Sequence, residues 1–248
     1  MIPYFELHTI PIGPFHIQAW GTFVAAGFLV GALVSSRRAK ANGFDANAVW
    51  DMAFWVFIAA FVGARLFHAV FYEPSLLGDF LDLINPARPG FAILGGFLGA
   101  AGAFALFVKR KRLDFLKFAD VAVWGLPWGV AIGRLGCFLI HDHPGTLSHS
   151  LLAVNYPGGA RHDLGLYLSI VGLLMGAVFL ILDKRQRRPG FYFGAWILME
   201  ALSRIWLDFY RIADTRWAGM TPTQWMAIPL AIFGGWLLFS RKKIGERR

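Results

Sequence analysis

The sequence predicts an all-α, polytopic membrane protein of about seven transmembrane helices, with its N-terminus outside and its C-terminus in the cytoplasm. Three observations predict it. Of 248 residues, 57% are hydrophobic, 16% aromatic and only 16% charged, whereas soluble domains carry about 25% charged residues. Several apolar runs approach the roughly 20 residues that cross a bilayer as helix. Basic clusters recur after alternate runs, which is the charge pattern of cytoplasmic loops. The same composition excludes disorder, collagen-like repeats and coiled coil.

In chain order, Met1 to Phe15 carries Pro3, Pro11 and Pro14 and lacks the basic start of a cleavable signal. It is expected to stay in the mature chain and to lie along the outer interface. Seven apolar spans follow, at about 16–36, 49–72, 91–108, 118–140, 164–182, 191–210 and 222–240. The third is short and rich in glycine, so a tilted or broken helix is expected there. Basic clusters sit at Arg37, Arg38 and Lys40, at Lys109 to Arg112 with Lys117, at Lys184 to Arg188, and at Arg241 to Lys243 with Arg247 and Arg248. They follow spans one, three, five and seven. Placing all of them inside requires an odd number of crossings and an outside N-terminus.

The net charge of +9, from 24 Lys and Arg against 15 Asp and Glu, is therefore topological, and no nucleic-acid partner is expected. Loops at about 73–90, 141–163 and 211–221 fall outside, as structured caps on a single integral-membrane domain over 1–248. One cysteine excludes an intramolecular disulfide. Seven spans also leave an inverted repeat with one helix unmatched, against a transporter built that way.

Ionisable residues at membrane depth carry the functional signal, because they are costly unless paired or facing water. Span two carries Arg65 and His68, span four Arg134, and span six Glu200, Arg204 and Asp208 with Arg211 at its border. In the predicted orientation Arg65, Arg134, Arg204 and Asp208 share the outward half of their helices. Arginine is permanently charged and forked for phosphate, so such convergence points to an anionic, phosphorylated ligand. Gly133 and Gly136 flank Arg134 and leave room for close backbone approach. The chain continues through Cys137, His141, Asp142 and His143 to Gly145, and a second outer cluster holds Arg161, His162 and Tyr167. Two histidines two apart before a proline make a poor helical ligand pair, so no metal is expected. Cys137 reads as a small packing residue rather than a covalent nucleophile.

These residues carry a resemblance. Ile12 to Phe15 running into Trp20-Gly21, Gly63-Ala64-Arg65 with Phe71-Tyr72, Gly90 to Gly96, Gly133 to Gly145, Arg161-His162 with Leu166-Tyr167, and Arg204 to Arg211 stand in an order that resembles the prolipoprotein diacylglyceryl transferases over nearly the whole chain. The resemblance implies a bacterial inner-membrane enzyme with a periplasm-facing site. It would move the diacylglyceryl group of phosphatidylglycerol to the lipobox cysteine of a preprolipoprotein and release glycerol phosphate, with membrane lipid as its surroundings and no cofactor.

By matched position, the resemblance makes Arg134 and Arg204 the principal functional arginines. Gly145 becomes the motif glycine, Asp208 an acidic residue in place of Glu, and Arg211 a further arginine. Arg65, Gly133, Gly136, Cys137, Arg161 and Tyr167 are the remaining candidate substrate contacts. Three departures stand out. The family's His or Tyr in the Gly-Gly turn is Leu94, its Asn after the Gly-Arg pair is Cys137, and its Tyr near span one is Trp20. With Leu94 unable to act as a base, His141, His143 or His162 is expected to do so, since histidine titrates nearest neutral pH. The alternative is a transporter or non-catalytic lipid-binding homologue that recognises an anionic headgroup.

Overall fold

The computed structural model describes residues 1–78, 80–85, 90–212 and 216–240. The C-terminal basic cluster, Arg241 to Lys243 with Arg247 and Arg248, lies outside the described residues, as do parts of the predicted outer loops at 73–90 and 211–221.

The chain is mostly helical, and four helical segments are long and apolar enough to cross a membrane: Ala19–Ala41, Ala46–Phe71, Phe115–Ile140 and Leu164–Leu182. The expected spans three, six and seven hold shorter helices, α4 (Ile93–Arg110), α8 (Phe191–Leu207) and α9 (Pro222–Phe239). The all-α expectation needs one correction, because short strands form among the described residues. A two-stranded sheet pairs β2 (Thr9–Ile12) with β3 (Phe15–Gln18), and a four-stranded sheet runs in the order β1 (Ile2–Pro3), β5 (Val154–Tyr156), β6 (Gly159–Asp163), β4 (Pro144–Leu147). By compactness the chain splits into two units, Met1–Arg38 with Ala119–Arg248, and Ala39–Phe118.

In the first unit, α1 (Ala19–Ala41) packs on α6 (Leu126–Ile140) through facing glycines. A Cβ at Gly27 would stand 3.0 Å from the Gly133 nitrogen and 3.3 Å from the Gly129 carbonyl carbon, so the backbones meet where only glycine fits. α5 (Phe115–Val123) and α6 form one span with a break at Trp124 and Gly125. The polar groups freed there are satisfied by Ser35, whose Oγ donates to the Ala122 carbonyl at 2.9 Å and accepts from the Gly125 N–H at 3.0 Å.

α7 (Leu164–Leu182) lies on α6, with Ser169 donating to the Ala131 carbonyl at 2.7 Å and Gly165 against the backbone of Cys137 and Phe138. Asp163 caps α7 by accepting the Leu166 N–H at 2.9 Å. α9 begins with a capping box in which Thr221 and Gln224 satisfy each other's backbone. At the other end of this unit Arg38 forks onto Asp183 at 2.7 and 2.5 Å while lying over the Trp124 ring.

In the second unit, α2 (Ala46–Phe71) starts at Asp45, which accepts the Asn47 N–H, and packs on α4 through small residues including Gly63 and Gly99. A one-turn helix (Pro74–Gly78) and α3 (Phe80–Ile84) follow α2.

Candidate active site

Arg134 sits about two turns before the end of α6 and is half-buried. Among the described residues its one hydrogen-bond partner is the sulfur of Cys137, to which Nη1 donates at 3.8 Å. Arg204, in the last turn of α8, lies close enough for the two guanidinium charges to repel each other, with Glu200 also within electrostatic range of Arg134. Glu200 is taken by Arg204, whose Nε donates to it at 2.9 Å across one helical turn. Two arginines from separate helices thus lie within electrostatic range of each other and of one carboxylate. An unmatched guanidinium at this depth is the arrangement that a bound anion would complete.

Strands β4, β5 and β6 of the sheet follow α6 in the chain. Gly145 is buried in β4 and bridged to Arg211, and an added Cβ there would fall 3.0 Å from the Tyr210 carbonyl oxygen and from both His162 Cβ and its carbonyl oxygen. Arg161, opposite on β6, donates to the Gly145 carbonyl at 3.2 Å. His162 lies against the Tyr210 ring at 4.2 Å between centroids, and its Nδ1 is hydrogen-bonded to the Tyr167 hydroxyl at 2.8 Å. Tyr167 in turn meets Ser150 Oγ at 3.3 Å. Burial pushes the His162 pKa below the ordinary histidine value, so the ring is held neutral at physiological pH.

The three candidate histidines are not equivalent. His141 ends α6 in a left-handed conformation (φ 50°), and its side chain is 1% exposed. Nδ1 is 2.6 Å from Asp163 Oδ2, which also accepts from the Tyr156 hydroxyl at 2.6 Å, and the ring is stacked on Tyr4 and edged by Phe5 and Phe138. This enclosure makes His141 a strut of the cap. His143 is hydrogen-bonded through Nδ1 to Asp142, and that carboxylate, followed by Cys137, raises its pKa to about 9. The imidazole there is a cation at neutral pH. His162 alone of the three is both neutral and only half-buried.

Other predicted residues have other surroundings. Asp208 is buried and accepts from Thr221 Oγ1 at 3.0 Å, with Arg211 Nε 3.8 Å away, so this pair ties the end of α8 to the start of α9. Gly136 faces α1, where a Cβ would press on Phe23, and Gly133 lies along the same helix, near Val24. Their observed neighbours are helix-packing ones. Arg65 belongs to the second unit, is buried, and donates to the carbonyls of Leu83 (3.0 Å), Asp82 (2.7 Å) and Gly90 (2.8 Å) while lying over Phe91. Its guanidinium organises that loop. Leu94 is exposed in the first turn of α4.

Sequence reasoning passed over Tyr156, Ser150, Tyr210 and the Tyr4–Phe5 pair, which orient the histidines. No local pattern marks them, because each acts across a tertiary contact.

The family described as Prolipoprotein diacylglyceryl transferase matches residues 8–240. The chain is similar to the phosphatidylglycerol–prolipoprotein diacylglyceryl transferase of Chromohalobacter salexigens, 29% identical over 235 residues covering 91% of this chain and 88% of that one. It is also similar to the proteins of that name from Idiomarina loihiensis, 28% identical with 93% and 91% covered, and from Bacillus cytotoxicus, 25% identical with 99% and 95% covered. A match over nearly its full length means that the chain belongs to the prolipoprotein diacylglyceryl transferase family.

Proposed function

We propose that this chain transfers the diacylglyceryl group of phosphatidylglycerol to the lipobox cysteine thiol of preprolipoproteins, forming a thioether and releasing glycerol phosphate. The observation that carries the reading is the Arg134–Arg204 pair, whose combined charge exceeds that of the one carboxylate beside it. A phosphodiester headgroup supplies the missing negative charge and suits the forked donors.

The chemistry follows from those positions. The acceptor thiolate attacks the glycerol carbon that bears the phosphate; the S–C bond forms as the C–O bond breaks, and the phosphate departs with the bonding electrons. Arg134 and Arg204 hold the phosphate through the reaction and stabilise the charge that grows on it, in a site shielded from bulk water. The thiol must first lose its proton, and at its usual pKa of about 8.5 little thiolate exists at neutral pH. His162 is the base in this reading, being neutral and braced by Tyr167 and Tyr210. Cationic His143 adds positive charge near Cys137. Arg161, Gly145 and Arg211 hold the strands on which His162 rides.

In the same reading all seven helices cross the bacterial inner membrane, the N-terminus and this site face the periplasm, and the C-terminus is cytoplasmic. Clusters at the ends of α1, α4 and α7 support that orientation. The β2–β3 hairpin lies in the outer interface just before α1. Purified protein incubated with labelled phosphatidylglycerol and a lipobox peptide tests the proposal. Glycerol phosphate release matched by peptide lipidation is expected, and Arg134→Ala and Arg204→Ala should each reduce turnover by about 100-fold or more. Lipid binding with no peptide product would refute it.

A further inference from the structure

The loop that leaves α6 gathers three donors of different chemistry. Cys137 Sγ, a carboxylate oxygen of Asp142 and an imidazole nitrogen of His143 all lie within 4.8 Å of one another. Helical spacing would never pair them. The left-handed turn at His141 ends the helix and folds Asp142 and His143 back over the last turn. Zinc-class ions bind thiolate, imidazole and carboxylate at about 2.0–2.3 Å, which puts tetrahedral ligands roughly 3.5 Å apart. The widest separation, up to 4.8 Å, has to close by roughly 1.3 Å and the hydrogen-bonded Asp142–His143 pair has to open, both within reach of a loop whose Asp142 is exposed.

Charge and surroundings agree. A thiolate and a carboxylate together match a divalent cation, and the imidazole adds no charge when it ligates. Arg134 Nη1 already donates to Cys137 Sγ, the outer hydrogen bond that ligating groups commonly receive. His143 Nδ1 and Asp142 are already hydrogen-bonded to each other, so two of the three ligands stand side by side before any ion binds. Three protein ligands leave a fourth position for water.

We propose that Cys137, Asp142 and His143 form a binding site for a thiophilic divalent cation of the zinc class. The site shares Cys137 and His143 with the transfer reading, but its occupancy is read without turnover, so the two can fail separately. The test uses the full chain, purified without thiol reductants or a histidine tag, and Co²⁺ as the probe. Cys137 is the one cysteine in the sequence, so a near-ultraviolet sulfur-to-cobalt charge-transfer band can arise only there. One equivalent of Co²⁺ should produce the band, Zn²⁺ should abolish it, and His143→Ala and Asp142→Asn should each weaken cobalt binding at least tenfold. No band in the unaltered protein at saturating Co²⁺ overturns the proposal, and so does a band whose midpoint neither substitution moves. Asp142→Asn, at an exposed position, keeps the second criterion usable if loss of His143 perturbs folding.

Discussion

Four arginines within or beside apolar helices look alike in the sequence and differ in the structure. Arg65 is saturated by backbone carbonyls, Arg211 leans on Asp208, and Arg204 holds Glu200, whereas Arg134 has only a sulfur within reach among the described residues. A cation at membrane depth costs about 2.5–3.5 kcal/mol on insertion scales, so its retention needs a compensating ligand. Partnership was not legible in the sequence, because it is fixed by tertiary contacts such as those of Arg65 with the Leu83 and Gly90 carbonyls.

The histidines make the same point. Three rim histidines could be named from sequence, but only packing against Tyr4, Asp142 or Tyr210 decides which is enclosed, charged or neutral. Because burial lowers the His162 pKa, its base form persists to lower pH than an ordinary histidine's, and transfer should fall on acidification only below the usual histidine range. For the same reason this residue's contribution to stability is present above the unfolded histidine pKa and is lost as pH falls. In His162→Ala, pH-rate profiles should show turnover reduced about 100-fold and the acid limb gone; an unchanged limb would assign the base elsewhere.

At the scale of elements, apolar runs announced the long helices because hydrophobic length is a local property. The cap strands were not announced. β1 and β5 have two and three residues, too few for alternation to register, and they pair across most of the chain. Yet this sheet is what sets Gly145, Arg161 and His162 side by side. The α6–α7 contact positions the same region from below: a Cβ at Gly165 would stand 2.6 Å from the Phe138 nitrogen and 2.9 Å from the Cys137 carbonyl carbon. Gly165→Ala should therefore push α7 off α6 beside Cys137. We expect a loss of about 1–3 kcal/mol, read as a lower melting temperature in detergent, together with reduced transfer.

The hairpin register sets Thr9 opposite Gln18, Ile10 opposite Ile17 and Pro11 opposite His16, giving alternate polar and apolar pairs on opposite faces. Spin labels placed singly at 15–18 in bilayers should alternate between oxygen-accessible and aqueous-quencher-accessible positions; uniform aqueous access would remove the hairpin from the interface.

For the whole molecule, charge distribution and hydropathy together conveyed a membrane protein and an orientation to test, and the order of short motifs carried the family. They could not convey that the chain splits into two compact units or that a four-stranded β-sheet forms within one of them. The proposed function rests on charges supplied by different helices meeting at one phosphate. A double-mutant cycle on phosphatidylglycerol affinity, comparing Arg134→Ala, Arg204→Ala and the pair, measures that directly. Each single substitution should weaken binding strongly, and the double variant should lose far less than the product of the two losses. Independent, multiplying losses, or near-native affinity in both single variants, would mean that the two guanidinium groups do not share a ligand.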